Sequence, residues 1–460
     1  MSRLDQTLST IDENAEGALA RLFDLLRIES VSTDPAYAPS CRQAAEWLVA
    51  ELTGLGFDAS VRKTPGHPMV VAHHEGPEGS PHVLFYGHYD VQPVDPIDLW
   101  DTAPFEPTLK DGPDGPRVYA RGSSDDKGQL MTFVEACRGW KEATGALPCQ
   151  VTILFEGEEE SGSPSLEDFL AATAEELKAD VALVCDTNMW DAQTPAITTA
   201  LRGMASDEVI IHAANRDLHS GYYGGAAQNP IHILSRILAD LHDENGAVTL
   251  EGFYDGVEEV PEDIKANWDK LNFSPKDFLG EIGLSMPAGE SNRSVLEKTW
   301  SRPTAEVNGI TGGYTGDGFK TVIAAQASAK VSFRLVGQQD PDAVAKAFRK
   351  HVEERLPEDC RAEFIAHGRG PASQLDYKLP ALTKAADALT AEWGKEAALT
   401  AGGGSIPIVG NFKRQLGMDS LLIGFALSSD AIHSPNEKYE VRSFQKGARS
   451  WARVLAALAE

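Results

Sequence analysis

Five short segments carry side chains that could hold a cation and move a proton. Gly87-His88-Tyr89-Asp90 sets a carboxylate two residues from an imidazole, where it can accept the ring's other N–H, fix the tautomer and raise the ligand's basicity. Arg121-Gly122-Ser123-Ser124-Asp125-Asp126-Lys127-Gly128 puts adjacent aspartates where a helix opens. Phe155-Glu156-Gly157-Glu158-Glu159-Glu160-Ser161-Gly162-Ser163 gathers four carboxylates that resist packing on apolar surface unless something positive neutralises them. Asp186 ends the apolar run Val181–Cys185, and His433 lies in Asp430-Ala431-Ile432-His433-Ser434-Pro435-Asn436-Glu437. Alone, each segment is a weak signal, and the first two read more readily as a surface turn and as a charge complement to a helix dipole. Together, separate strand ends each deliver a His, Asp or Glu, which is how mixed nitrogen/oxygen sites for zinc-like ions are assembled.

Such a site needs strands that end along one edge and helices that cover them. Ile11, Ala15, Ala18, Leu19, Leu22, Leu25 and Leu26 predict a helical face over residues 11–28. A second helix is expected from Ser40, with Gln43 completing a capping box, to Gly56. Apolar runs predict strands at Met69–Ala72, Val83–Tyr86, Gln150–Phe155 and Val181–Cys185, with helices at Gln129–Ala143 and Leu166–Ala172 between them. This alternation is the signature of an α/β layer fold. From about residue 197 the texture becomes α+β: a β-rich stretch over Ile197–Ala213, a helix at Pro230–His242, an acidic, partly helical segment over 255–300, and strands near 306–310 and 327–336. The first texture then returns, with a helix near 379–393, a strand at Ser420–Phe425 and an amphipathic helix at 441–459. The expected organisation is one domain inserted into another, with residues 1–197 and 377–460 forming the outer domain and 198–376 the insert.

Composition limits the partners. The chain has 460 residues, with 41 basic and 69 acidic side chains, hence a formal charge of 41 − 69 = −28, which repels phosphate backbones and anionic lipid. Neither a nucleic-acid nor a membrane partner is expected. The five cysteines are an odd number, with no CxxC pair, and read as core residues in a reducing compartment. No signal-peptide run occurs over Met1–Asn14, so a cytoplasmic location is expected.

The blocks GHYDVQP, RGSSDDKG, FEGEEESGS, VCDTN, RDLHSGYYGG, KTVIAAQASAKVSFRLV, GGGSIP and HSPNE together resemble the co-catalytic zinc aminoacylase/carboxypeptidase/dipeptidase superfamily, in its carnosinase-like dipeptidase branch. The resemblance implies a mixed-sheet, three-layer α/β catalytic domain of zinc-peptidase type with an inserted α+β lid that also dimerises. It implies two divalent ions per subunit, zinc by default, with manganese and cobalt also accepted by such ligands. Asp125 would bridge them, His88 and Asp186 completing one shell and Glu160 and His433 the other. Glu159 would be the general base, and Asp90 would support His88. His219 would donate to the oxyanion across the dimer, and Arg334 would clamp the substrate carboxylate. Thr321, Ser405, Gly404 and Asn308 match further substrate-binding positions. A cis bond between Asp125 and Asp126 is also implied.

The implied reaction is hydrolysis of an amide bond in a small substrate with a terminal carboxylate, in first place by a dipeptidase. In many relatives of this branch the block before Ser-Ile-Pro reads Arg-Glu-Gly-Gly, whereas here it is Ala401-Gly402-Gly403-Gly404. Losing that carboxylate removes an attraction for a free amino group. An N-acyl-amino-acid hydrolase with the same mechanism is therefore the alternative, and a non-catalytic metal-dependent binding protein is a remote third reading.

Overall fold

The computed structural model describes residues 1–403 and 406–460. The chain divides into two compact units, one of Met1–Thr199, Leu375–Thr400 and Pro407–Glu460, the other of Ala200–Gln374 and Ala401–Ile406.

In the larger unit the sheet runs in the order Asp58–Arg62, Met69–His74, Gln150–Glu156, His82–His88, Val181–Val184, Ser420–Leu422, Ala196–Leu201. His82–His88 is parallel to both Gln150–Glu156 and Val181–Val184, and Ser420–Leu422 is parallel to Val181–Val184. The carboxyl ends of these strands therefore share one edge, where ligands gather in open α/β sheets. The outer strands Asp58–Arg62 and Met69–His74 are antiparallel additions.

Buried strands of this kind need apolar cover. Helix Lys127–Thr144 is buried along most of its length. Its Phe133 stacks on Phe85 with ring centroids 3.8 Å apart, and Trp451, from helix Val441–Ala459, meets both rings edge-on. Removing such a ring costs roughly 3–5 kcal/mol, so this trio fixes how the helices sit on the sheet. The helix starts close under the preceding loop: a Cβ at Gly128 would lie 1.8 Å from the Ser123 carbonyl oxygen.

Several expected elements are displaced. The face expected over 11–28 belongs to two helices, Arg3–Glu13 and Ala15–Leu26, because Asn14 (φ −95°, ψ 8°) ends one and precedes the other. The second helix begins at Ala38, with Pro39 in its first turn, so Ser40 lies inside it and does not cap it. Strand Ser420–Leu422 is shorter than expected. A three-stranded sheet of Thr108–Gly112, Gly115–Tyr119 and Lys438–Glu440 was not signalled, since its strands carry charged residues in place of an apolar run.

The second unit centres on a four-stranded antiparallel sheet ordered Thr304–Gly312, Gln326–Leu335, Gly203–His212, Arg361–Gly370. Alternation sorts its faces. Ala205, Val209, Ile211, Ala329, Val331 and Phe333 pack with helices Pro230–Ala239 and Pro341–Glu353, while Met204, Ser206 and Glu208 lie half-exposed on the other face. No helix among the described residues is long and apolar enough to cross a membrane.

Candidate metal centre

The shared strand edge brings five of the expected ligands into two overlapping groups. His88, Asp125 and Asp186 form one, and Asp125, Glu160 and His433 the other, with the ligand atoms of each group within 4.8 Å of one another. His88 Nε2 lies 3.1 Å from Asp125 Oδ1 and 4.0 Å from Asp186 Oδ2. His433 Nε2 lies 2.9 Å from Asp125 Oδ2 and 3.2 Å from Glu160 Oε2. Asp125 thus gives one oxygen to each group. Ligands about 2.1 Å from a tetrahedral ion stand about 3.4 Å apart, the scale of these separations.

The donor set fits divalent cations on electrostatic grounds as well. Burial, reinforced by the charge of Asp125, holds the Asp186 carboxyl well above the usual carboxylate range. Hydrogen bonds to Asp125 and Glu160 push His433 up to about 10. Burial disfavours charge on His88, but its contacts with Asp125 and Asp90 outweigh that and hold the ring protonated well above its ordinary range. These anions therefore need positive charge between them. A metal ion replaces the protons with a single stronger charge, through neutral imidazole and ionised carboxylate ligands.

Each ligand is held in turn. His88 Nδ1 faces the backbone carbonyl of Asp90 at 3.1 Å, with the Asp90 carboxylate farther off at 3.5 Å. That carboxylate is more closely engaged with the next loop, accepting the backbone N–H of Glu159 at 3.3 Å and of Glu160 at 3.0 Å. Asp90 therefore does more than support His88: it ties the first group's imidazole to the loop bearing Glu159 and Glu160. Gln92 donates to Glu160 Oε2 at 2.7 Å. Beneath His88, Asp126 accepts its backbone N–H at 3.1 Å, and the Asp125–Asp126 bond is cis.

Only two of the four clustered carboxylates face this centre. Glu156 accepts the Tyr86 hydroxyl at 2.6 Å, and burial pushes it up to about 7. Glu158 accepts the backbone N–H of His67 at 2.7 Å and of Ser165 at 3.1 Å. Ordinary donors, not a cation, engage these two, although Glu156 Oε1 is buried without a hydrogen-bond partner among the described residues. Glu159 belongs to neither ligand group; burial raises its pKa, with Glu160, Asp90 and Asp125 adding to the rise and His88 opposing it.

Two residues passed over by sequence reasoning organise the second group. Glu437, fully buried, accepts from Arg121 Nη1 (2.8 Å) and the backbone N–H groups of Gly122 (2.9 Å), Ser124 (2.8 Å) and Asp125 (3.0 Å). Asp430 accepts the Ser124 hydroxyl at 2.9 Å and the Leu427 N–H at 2.8 Å. Both flank His433, whose backbone is left-handed (φ 60°), as are Ala431 and Asn436. Their signal was the acidic pair bracketing His433 in DAIHSPNE.

The remaining expected residues lie in the second unit. His219 pairs with Val322 on a two-stranded ribbon, and the Ser220 N–H donates to the Thr321 carbonyl at 3.1 Å, so His219 and Thr321 are neighbours. Asn308 is exposed at the bulge between Val307 and Gly309, and Arg334 is half-buried opposite Thr304 and Met204. Gly404 and Ser405 lie outside the described residues.

Comparison with known proteins agrees with this architecture. Residues 84–457 match the model of peptidase family M20/M25/M40. The chain is 31% identical to a Cys-Gly metallodipeptidase of Candida albicans, over 97% of this chain and 96% of that one. It is 28% identical to the human Beta-Ala-His dipeptidase, over 99% and 93%. Among solved structures, an M20 family metallo-carboxypeptidase of Sulfolobus solfataricus superposes with a TM-score of 0.78 at 30% identity, covering 96% of this chain and 99% of that one. A match that runs through every segment of the centre and well beyond half the chain places this protein in the M20/M25/M40 peptidase family.

Proposed function

We propose that the chain is a di-metal dipeptidase, with His88 and Asp186 holding one ion, Glu160 and His433 the other, and Asp125 bridging them. The observation that carries this reading is the division of the Asp125 carboxylate, one oxygen to each ligand group, beside a half-buried carboxylate, Glu159, that neither group uses. Zinc is the default occupant, and manganese and cobalt suit the same nitrogen and oxygen donors. Divalent cations held there would supply the Lewis acidity that amide hydrolysis at neutral pH requires.

The chain's own groups then divide the work. Glu159 takes a proton from the attacking water as its oxygen bonds to the scissile carbonyl carbon. As the C–N bond breaks, Glu159 returns that proton to the departing amine nitrogen. His219 suits an oxyanion donor: its Nδ1 accepts the Gly221 N–H at 2.9 Å, so the neutral ring carries its proton on Nε2. Arg334 offers a planar fork to the substrate's terminal carboxylate, and Thr321 and Asn308 are further candidates to contact the substrate.

A homodimer formed through the second unit is part of this proposal, and the exposure of His219, Tyr222 (83% exposed) and Phe319 (91%) supports it. A cytoplasmic location is consistent with five free cysteines. The absence of a carboxylate at Gly402 favours one second reading, an N-acyl-amino-acid hydrolase. The deciding assay pairs free dipeptides with their N-acylated counterparts, using protein whose bound metal is quantified. Metal-dependent turnover of the free set is expected. Turnover of only the blocked set would replace the dipeptidase with the acylase, and inertness toward both with two metals bound would overturn the reading.

A further inference from the structure

Among the described residues of the second unit, Arg202 and Arg334 are half-buried guanidinium groups without a partner. From Leu201 to His212 burial alternates without a break, which puts Arg202 on the half-exposed face that also carries Met204. Met204 is opposite Arg334 in the ladder, and residues opposite each other share a face. Arg202 and Arg334 are therefore diagonal neighbours on one face, where long side chains can converge.

Among the described residues, neither guanidinium forms an ion pair or a side-chain hydrogen bond. Arg202 Nε is shielded from solvent and has no acceptor. The Arg202 backbone N–H donates to the Gly402 carbonyl at 3.2 Å, which draws the glycine turn against it. A Cβ at Gly403 would lie 3.1 Å from Arg202 Nη2, so the glycine leaves the guanidinium its room. Burial, and next the charge of Arg334, lower the Arg202 pKa, as two like charges brought together in a partly desolvated place require. Glu306, on the same face and diagonal to Arg334, pairs with neither. A partly buried, unpaired charge is costly, and an anion held between the forks relieves it.

We propose that Arg202 and Arg334 form a two-guanidinium site for a dicarboxylate, Arg334 taking the substrate's terminal carboxylate and Arg202 a second one. The favoured substrates then carry Asp or Glu on the carboxyl side of the scissile amide, because two converging side chains reach groups on the same side of that bond. This inference rests on the reading of Arg334 as the residue for the terminal carboxylate.

The test separates binding from turnover. Ala-Glu and Ala-Gln are titrated calorimetrically into metal-loaded Glu159→Ala protein, alone and combined with Arg202→Gln, Arg202→Lys or Arg334→Gln. Ala-Glu is expected to bind about 10- to 100-fold more tightly than Ala-Gln, the range of one charge-assisted contact. Arg202→Gln should abolish the gap, and Arg202→Lys should restore part of it, which guards against a folding artefact. Equal affinities at the outset, or a gap that survives Arg202→Gln, would overturn the proposal. Succinyl-Ala against acetyl-Ala forms a second arm: a gap there, removed by Arg202→Gln, would move the second carboxylate to the acyl side and overturn the assignment. If Arg334→Gln leaves Ala-Gln binding intact, the underlying reading of Arg334 falls, an outcome distinct from the loss of the Ala-Glu preference alone.

Discussion

The backbone N–H of Asp125 donates to Glu437 Oε1 at 3.0 Å, so the residue that offers an oxygen to each ligand group is held by a carboxylate four residues beyond His433. One buried side chain thereby fixes the distance between two members of the second group. The same carboxylate neutralises Arg121, which is as buried as its partner.

Glu437→Gln should therefore loosen the centre without touching a ligand. The amide has one acceptor oxygen where two are used, turns an NH2 toward backbone donors, and leaves Arg121 a buried, unpaired charge. Breaking a buried pair in this way costs about 3–5 kcal/mol. The expected result is a lower melting temperature in calorimetry and, after dialysis, loss of metal from the group of Asp125, Glu160 and His433. A variant with the parental melting temperature and metal content would show that the Glu437 contacts do not organise the site.

Glu159→Ala should keep both metals, because Glu159 belongs to neither ligand group. A positioned general base contributes about 10²–10⁴ in rate, and kcat should fall by that factor with metal content unchanged. A loss of less than tenfold would remove Glu159 from the proton's path.

Residues at parallel strand ends were legible in the sequence, because an apolar run announces the strand and the next polar residue must emerge at its edge. His88 and Asp186 follow that rule, whereas Glu160 sits on a short 3-10 turn, Glu159–Ser161, past the end of its strand at Glu156. His433 does not: its strand closes at Leu422, and a left-handed loop, not a strand end, delivers it. Such a loop has no periodicity to read, and Glu437 and Asp430 act through backbone donors that a sequence does not display. Glu156 and Glu158 looked like their neighbours for the opposite reason, since only the fold shows that a tyrosine hydroxyl and two backbone N–H groups already engage them. The split at Asn14 escaped because the apolar positions on either side continue nearly in phase.

His351 gives the second unit a pH dependence of its own. The ring is buried, its Nε2 is 3.1 Å from the Ile237 carbonyl, and burial lowers its pKa below the ordinary 6.5. The unfolded chain then binds the proton more readily than the folded one, so this group's stabilisation is present above the unfolded pKa and is lost as pH falls below it toward the folded pKa. Denaturant melts at pH 7.5 and 5.5 should show a larger loss for the parent than for His351→Gln, which keeps a donor for Ile237 and does not titrate. Equal losses would assign the pH dependence elsewhere.

The exposure of His219 makes its role testable by mixing chains. If it reaches a neighbouring subunit's centre, a His219→Ala chain lacks the donor it gives its partner but keeps its own Glu159. A Glu159→Ala chain has the reverse defect. In a heterodimer of the two, one centre combines an intact Glu159 with an intact His219 from the other chain, and the second centre lacks both. Each homodimer should be nearly inactive, and the purified heterodimer should recover up to about half the parental kcat, since one good centre in two is restored. Tandem tags on the two chains establish which species is assayed. Heterodimers that stay as inactive as either parent would place His219 outside the partner's centre, and a His219→Ala homodimer with full activity would remove it from oxyanion stabilisation altogether.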